Sequence, residues 1–213
     1  MSTFYRVDRK CGVCGKSSEH TALSSTNSFG SPDLDLRPPE MKRSTMPLWV
    51  EVCPHCGYAS SNLEKDGKRH ADFIGSEEYK TCEGNPLESG LAQAFYKQAL
   101  LLKRDGQTDN AYDRFLYAAW ACDDVCDEEG ALVCRGKAIE LFDETMKEDE
   151  NLLLRHIDLL RRAGRFDEAI ALCDETAFDE PIMQSVARYQ KALSQKKDAG
   201  CHTVAESEGT GKN

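Results

Sequence analysis

Two short motifs constrain this chain more than anything else in it: KCGVCGK at 10–16 and VCPHCGY at 52–58. Each is a Cys-x-x-Cys pair followed by glycine, and that pattern forms a tight turn with both sulfurs facing one point. The glycine permits a backbone conformation that bulkier residues resist. Two such turns, each carried on its own hairpin, place Cys11, Cys14, Cys53 and Cys56 at the corners of a tetrahedron. Four thiolates in that arrangement suit zinc, with sulfur about 2.3 Å from the metal. With all four corners filled by protein, no position is left for substrate, so such a zinc is structural.

Tetrahedral sulfur also suits iron. Zinc is the expected metal, and a rubredoxin-like iron site is the alternative. A dithiol oxidoreductase needs one pair at a helix start in a βαβ setting, and neither pair has it. His55 lies inside the second motif and is expected to be a solvent-facing turn residue.

The text around the knuckles is punctuated by glycine and proline, with β-prone runs TFYRVDR, HTAL and PLWVEV between them. Residues 1–62 therefore read as a small sheet with loops. A piece of this size buries too little apolar surface to fold without a staple. Residues 63–90 read as a connector with a short helix around Glu77–Thr81.

From Leu91 the apolar spacing becomes helical. Stripes begin at Leu91, Ala111, Ala131, Leu153 and Phe166, and Pro181 opens a sixth helix. The third is expected to run long, over Glu128–Lys147, behind Asp127 as N-cap. Around Gly106 and Gly164 the small and apolar positions echo one another. That echo, with GRFDEAI at 164–170, resembles the tetratricopeptide repeat. The helical domain is expected to span 91–196. Residues 197–213 have no period and read as a disordered tail.

The expected fold class is thus α+β: a β-rich zinc ribbon followed by a repeat-like all-helical domain. Cys122, Cys126 and Cys134 are expected to be ordinary packing thiols.

The loop at 24–45 is long for a crossover. Asp33, Asp35 and Arg37 alternate in it, so an extended segment puts them on one face, opposite Leu34 and Leu36. With Arg161, Arg162 and Arg165 they are the candidate contacts for a protein partner, the arginines suiting an acidic peptide.

Charge narrows the partner class. The chain has 27 Lys and Arg against 37 Asp and Glu. Residues 1–70 hold ten against eight, and the remainder 17 against 29, so the body is acidic and repels phosphate backbones. Nucleic acid is therefore not the expected partner, although a ribbon adaptor would use the slightly basic front. No apolar run reaches the roughly 18 residues of a membrane helix. MSTFYRVDRK lacks the apolar core of a secretory signal, so a reducing, cytoplasmic setting is expected. No phosphate loop or Ser/His/Asp set is present, and an enzyme is not expected.

Cys11–Gly15, STNSFGSPDLDLRPPE, Cys53–Tyr58, AAWACDDVCDEEGA at 118–131 and RRAGRFDEAI at 161–170 together resemble a bacterial family of uncharacterised proteins. In that family a Cys-x-x-Cys-Gly and a Cys-Pro-x-Cys-Gly-Tyr precede a tetratricopeptide-like helical half. The resemblance implies a bacterial, cytoplasmic, metal-binding protein and adds no activity. The expected role is an adaptor or scaffold containing structural zinc.

Overall fold

A computed structural model describes residues 2–143 and 145–209. The fold is mixed α+β, and the chain divides into two compact units. The first is Met1–Asn27 with Met41–Leu141, and the second is Ser28–Glu40 with Phe142–Asn213.

The first unit opens with an antiparallel hairpin, β1 (Thr3–Lys10) and β2 (Ser17–Ser25), with Val7 opposite His20. A 3-10 turn at Arg43–Leu48 leads to a two-residue pair, β3 (Glu51–Val52) and β4 (Ala59–Ser60). Of the run PLWVEV, only Glu51 and Val52 are strand, because Pro47 lies inside the 3-10 turn and supplies no N–H to a ladder.

Two single-turn helices follow, α1 (Ala71–Ile74) and α2 (Glu77–Lys80), the second capped by the Ser76 hydroxyl on Tyr79 N–H. Three longer helices complete the unit: α3 (Gly90–Arg104), α4 (Thr108–Asp123) and α5 (Glu128–Ile139). Asp127 caps α5 as expected, and the Ser89 hydroxyl caps α3 in the same way.

Phe95, Tyr96, Tyr112, Phe115 and Leu116 are fully buried between these helices, and Tyr96 meets Phe115 edge to face at 4.9 Å. Trp49 reaches the same core, its ring 5.4 Å from Tyr117 of α4.

The expected boundaries at 62 and 90 are therefore not where the chain divides. The ribbon shares a core with α3–α5, since Leu63 and Tyr79 of the supposed connector are 0% and 1% exposed. A change in composition marks where the backbone changes conformation, not where burial stops.

The expected long helix over Glu128–Lys147 also stops early, at Ile139. The Asp143 carboxylate accepts from the N–H groups of Thr145 and Met146, which ends any helical ladder there.

In the second unit α6 (Glu150–Arg162), α7 (Phe166–Glu175) and α8 (Pro181–Gln195) pack together, and α9 (Val204–Gly209) lies against α8. The turns leaving α3 and α6 are built alike. Gly106 and Gly164 take φ of 70° and 75°, and the next residue's N–H returns to Leu102 and Leu160 respectively.

Residues up to Gly209 are ordered where a disordered tail was expected, and 210–213 lie outside the described residues. The ordering comes from residues 31–37. Leu34 N–H donates to the His202 carbonyl, Val204 N–H donates to the Pro32 carbonyl, and Asp33 bridges Thr203. These bonds span most of the sequence, so no local periodicity reports them.

Candidate metal centre

The two knuckles are copies of one backbone device. In the first, Cys11 N–H bonds the Lys16 carbonyl and Gly15 N–H returns to the Cys11 carbonyl, both at 2.9 Å. In the second, Cys53 N–H bonds the Tyr58 carbonyl and Gly57 N–H returns to the Cys53 carbonyl, again at 2.9 Å. Gly15 and Gly57 sit at φ of 72° and 78°, the left-handed region that a side chain resists.

The turns bring the four Sγ atoms within 4.8 Å of one another, the one such group among the described residues. Cys11 to Cys56 and Cys14 to Cys53 are both 3.7 Å. Thiolates about 2.3 Å from a central zinc stand about 3.8 Å apart along a tetrahedron's edge. The residues fit the metal, and all four cysteines are free thiols.

Burial divides the four. Cys11 and Cys53 are 2% and 1% exposed, whereas Cys14 faces solvent and Cys56 is half-buried. A hydrogen bond from the Lys16 backbone N–H pulls the Cys14 thiol down to about 7, while burial pushes Cys11 and Cys56 up. A divalent metal among the four sulfurs would hold them all as thiolates. Val13 N–H points at Cys11 Sγ from 3.4 Å. His55 does not turn inward; its Nε2 lies 3.3 Å from the Ser17 carbonyl.

Support for the knuckles comes from residues that the motif does not contain. The Tyr79 hydroxyl donates to the Gly57 carbonyl at 2.9 Å and accepts from Ala59 N–H at 3.1 Å. Leu63 ties the hairpins together: its carbonyl accepts from Gly12 N–H, and its N–H donates to Glu51. Glu51 also holds Arg9 of β1 at 3.0 Å. Sequence reasoning missed Glu51 and the hydroxyl's role. The available signal was a lone tyrosine in a polar connector, and nothing local pairs it with Gly57.

Beside the second knuckle lies a polar cleft of about 120 Å³, bounded by Tyr58, Ser60, Lys65, His70, Gln98 and Asp105. Asp105 holds Arg69 at 2.9 Å and His70 at 3.2 Å, and the guanidinium keeps its carboxyl below the usual range. This clamp fixes the 65–70 segment to the end of α3.

The residues expected to meet a partner are placed elsewhere. Asp33, Asp35 and Arg37 are 4%, 1% and 6% exposed. They do not alternate along an extended segment. A turn closes there, with Asp33 N–H on the Arg37 carbonyl and Leu36 N–H on the Asp33 carbonyl. Leu34 is buried with the charges, and Leu36 faces outward at φ 62°.

Arg161 is fully buried, 2.7 Å from Asp158, and also donates to the Asp198 carbonyl. Arg162 lies 3.4 Å from Asp35, and Arg165 pairs with Glu168 one turn on. Five of the six are interior charges holding the second unit together, and only Arg165 stands substantially in solvent. The charge-rich text reads as a partner-facing surface because sequence does not show which charges find partners within the chain.

Cys122 and Cys134 are fully buried on α4 and α5, while Cys126 sits exposed in the turn between them. The nearby Cys122 thiol pushes Cys134 up.

No family model, curated protein or solved structure matches this chain. Among the described residues no helix is long and apolar enough to cross a membrane.

Proposed function

We propose that this is a structural-zinc protein that works as an adaptor, offering its helices to a protein partner in a reducing, cytoplasmic setting. The observation that carries the reading is the pair of 3.7 Å Sγ distances, which describe a tetrahedron closed on every corner by protein. A site of that kind stabilises a fold and leaves no open position for a reactant. The like-built turns after α3 and α6 support a repeat-like arrangement of helical pairs, as does the bacterial family that the motifs resemble. Helical pairs of this type commonly receive peptides or partner domains. Val125 and Leu132, 48% and 49% exposed at the α4–α5 corner, are the apolar positions such a partner would cover.

The test combines metal analysis with capture. Purified chain should hold zinc, and Val125→Glu with Leu132→Glu should keep the zinc while losing a partner captured by the unaltered chain. Partner recovery that survives both substitutions removes this surface.

One observation favours iron as a second reading. Cys14 is exposed, and an electron-transfer iron needs one edge of its sulfur cage near solvent. A ferric tetrathiolate is red and zinc is colourless, so the visible spectrum of protein from iron-replete cells separates the two.

A further inference from the structure

The hairpin of β1 and β2 is a sheet of only two strands, a size that is marginal alone in water. On one side β2 rests against the 3-10 turn at Arg43–Leu48. On the other side no strand among the described residues pairs with β1.

The ladder's phase shows which groups that edge presents. Cys11 N–H bonds the Lys16 carbonyl, so in the continuous register Arg9–Ser18, Val7–His20 and Tyr5–Ala22 are the hydrogen-bonded pairs. The backbone N–H and C=O of Phe4, Arg6, Asp8 and Lys10 therefore turn outward, and among the described residues no protein group bonds them.

The side chains of the same four residues are all exposed. Arg6 pairs diagonally with Glu19. Asp8 stands directly opposite Glu19, a like-charge pair that weakens a sheet, and no cation or donor among the described residues reaches its carboxylate.

We infer that β1 is a self-pairing edge: two copies of this chain join β1 to β1 antiparallel about a twofold axis through Val7, making a four-stranded sheet. In that register Arg6 faces the second copy's Asp8, and by symmetry Asp8 faces its Arg6. Those two positions exchange both backbone hydrogen bonds, because both already turn their backbone outward. Phe4 and Lys10 form the next such pair. On the opposite face Val7 meets its own copy and Tyr5 meets Arg9, an aromatic ring against a guanidinium. The second copy thus supplies the missing cation for each Asp8 and a partner for every outward backbone group. Charged edges ordinarily repel other strands. Here the signs alternate, so the edge repels strands of one sign and fits its own reverse.

The full zinc-loaded chain should show a reversible monomer–dimer equilibrium in sedimentation velocity as concentration rises into the hundred-micromolar range. Asp8→Arg places Arg6 opposite arginine, and Arg6→Asp places aspartate opposite Asp8, so each variant alone should be monomeric. Mixed in equal amounts, the two variants are complementary and should form a one-to-one heterodimer, which no other interface predicts. Unchanged zinc content and circular dichroism show that the variants are folded.

In the unsubstituted chain the amide protons of Arg6 and Asp8 should slow in hydrogen exchange as the dimer forms. A monomer at every concentration overturns the inference and leaves the edge to a foreign strand. So does a dimer with unprotected Arg6 and Asp8 amides, or variants that fail to recombine.

Discussion

The Tyr79 hydroxyl donates to the Gly57 carbonyl at 2.9 Å, so a residue outside the Cys-x-x-Cys motif holds the turn that aims two of the four sulfurs. Its second bond, from Ala59 N–H, fixes the strand that leaves the knuckle. Tyr79 is 1% exposed, and its removal would leave the buried Ala59 N–H and the half-buried Gly57 carbonyl without their partner.

Tyr79→Phe should therefore cost about 1–3 kcal/mol, the desolvation penalty of groups left unpaired. It should also speed zinc loss to a chelator, because the second knuckle loses its brace. Denaturant melts and a chelator-release time course measure the two effects. Unchanged release with lowered stability would show that the hydroxyl supports the fold and does not brace the metal turn.

Cys53→Ser should abolish zinc binding, from about one zinc per chain to none, since a closed site needs all four thiolates. The ribbon shares a core with α3–α5 through Trp49, Leu63 and Tyr79, so hydrogen exchange in those helices should rise as well. The helices α6–α8 belong to the other unit and should keep their protection. Metal analysis and residue-level exchange check this, and loss of protection confined to residues 1–62 would contradict the shared core.

Arg161 and Asp158 form a buried pair, 0% and 1% exposed. Burial pushes the Asp158 carboxyl up, and Arg161 opposes that shift. Arg161→Leu leaves that carboxyl uncompensated and should cost about 3–5 kcal/mol, while pairing it with Asp158→Leu should recover much of the loss. Urea melts of the three variants measure the coupling. Charge reversal at Arg161 should unfold the second unit, not release a partner from an intact one.

His156 stacks face to face on Phe142, with ring centroids 3.7 Å apart. Burial first, and the neighbouring Arg165 second, depress its pKa to about 4. The unfolded imidazole takes its proton near 6.5, so between those values the unfolded chain binds more protons. This contribution to stability is complete above 6.5 and is lost as pH falls towards 4, on the order of 3 kcal/mol. His156→Phe should flatten that part of the stability profile, read from melts between pH 4 and 7.

The four-cysteine cluster was legible in the sequence because its geometry is local. Cys11–Gly15 and Cys53–Gly57 each carry the turn, the sulfurs and the permissive glycine within five residues, and only the meeting of the two turns was left to the fold. Helix existence was legible for the same reason, since apolar spacing and a cap such as Asp127 act over one or two turns.

What tertiary structure alone decided is where charge and chain ends go. Asp35 meets Arg162, and Leu34 meets His202, across contour distances over which loop closure is governed by what the fold buries. Side-chain polarity identifies Asp33, Asp35, Arg37, Arg161 and Arg162 as charged. Whether such a group faces water or a partner depends on whether an opposite charge is brought within reach to offset its desolvation. That opposite charge lies far away in the chain, so only the folded molecule places these residues inside.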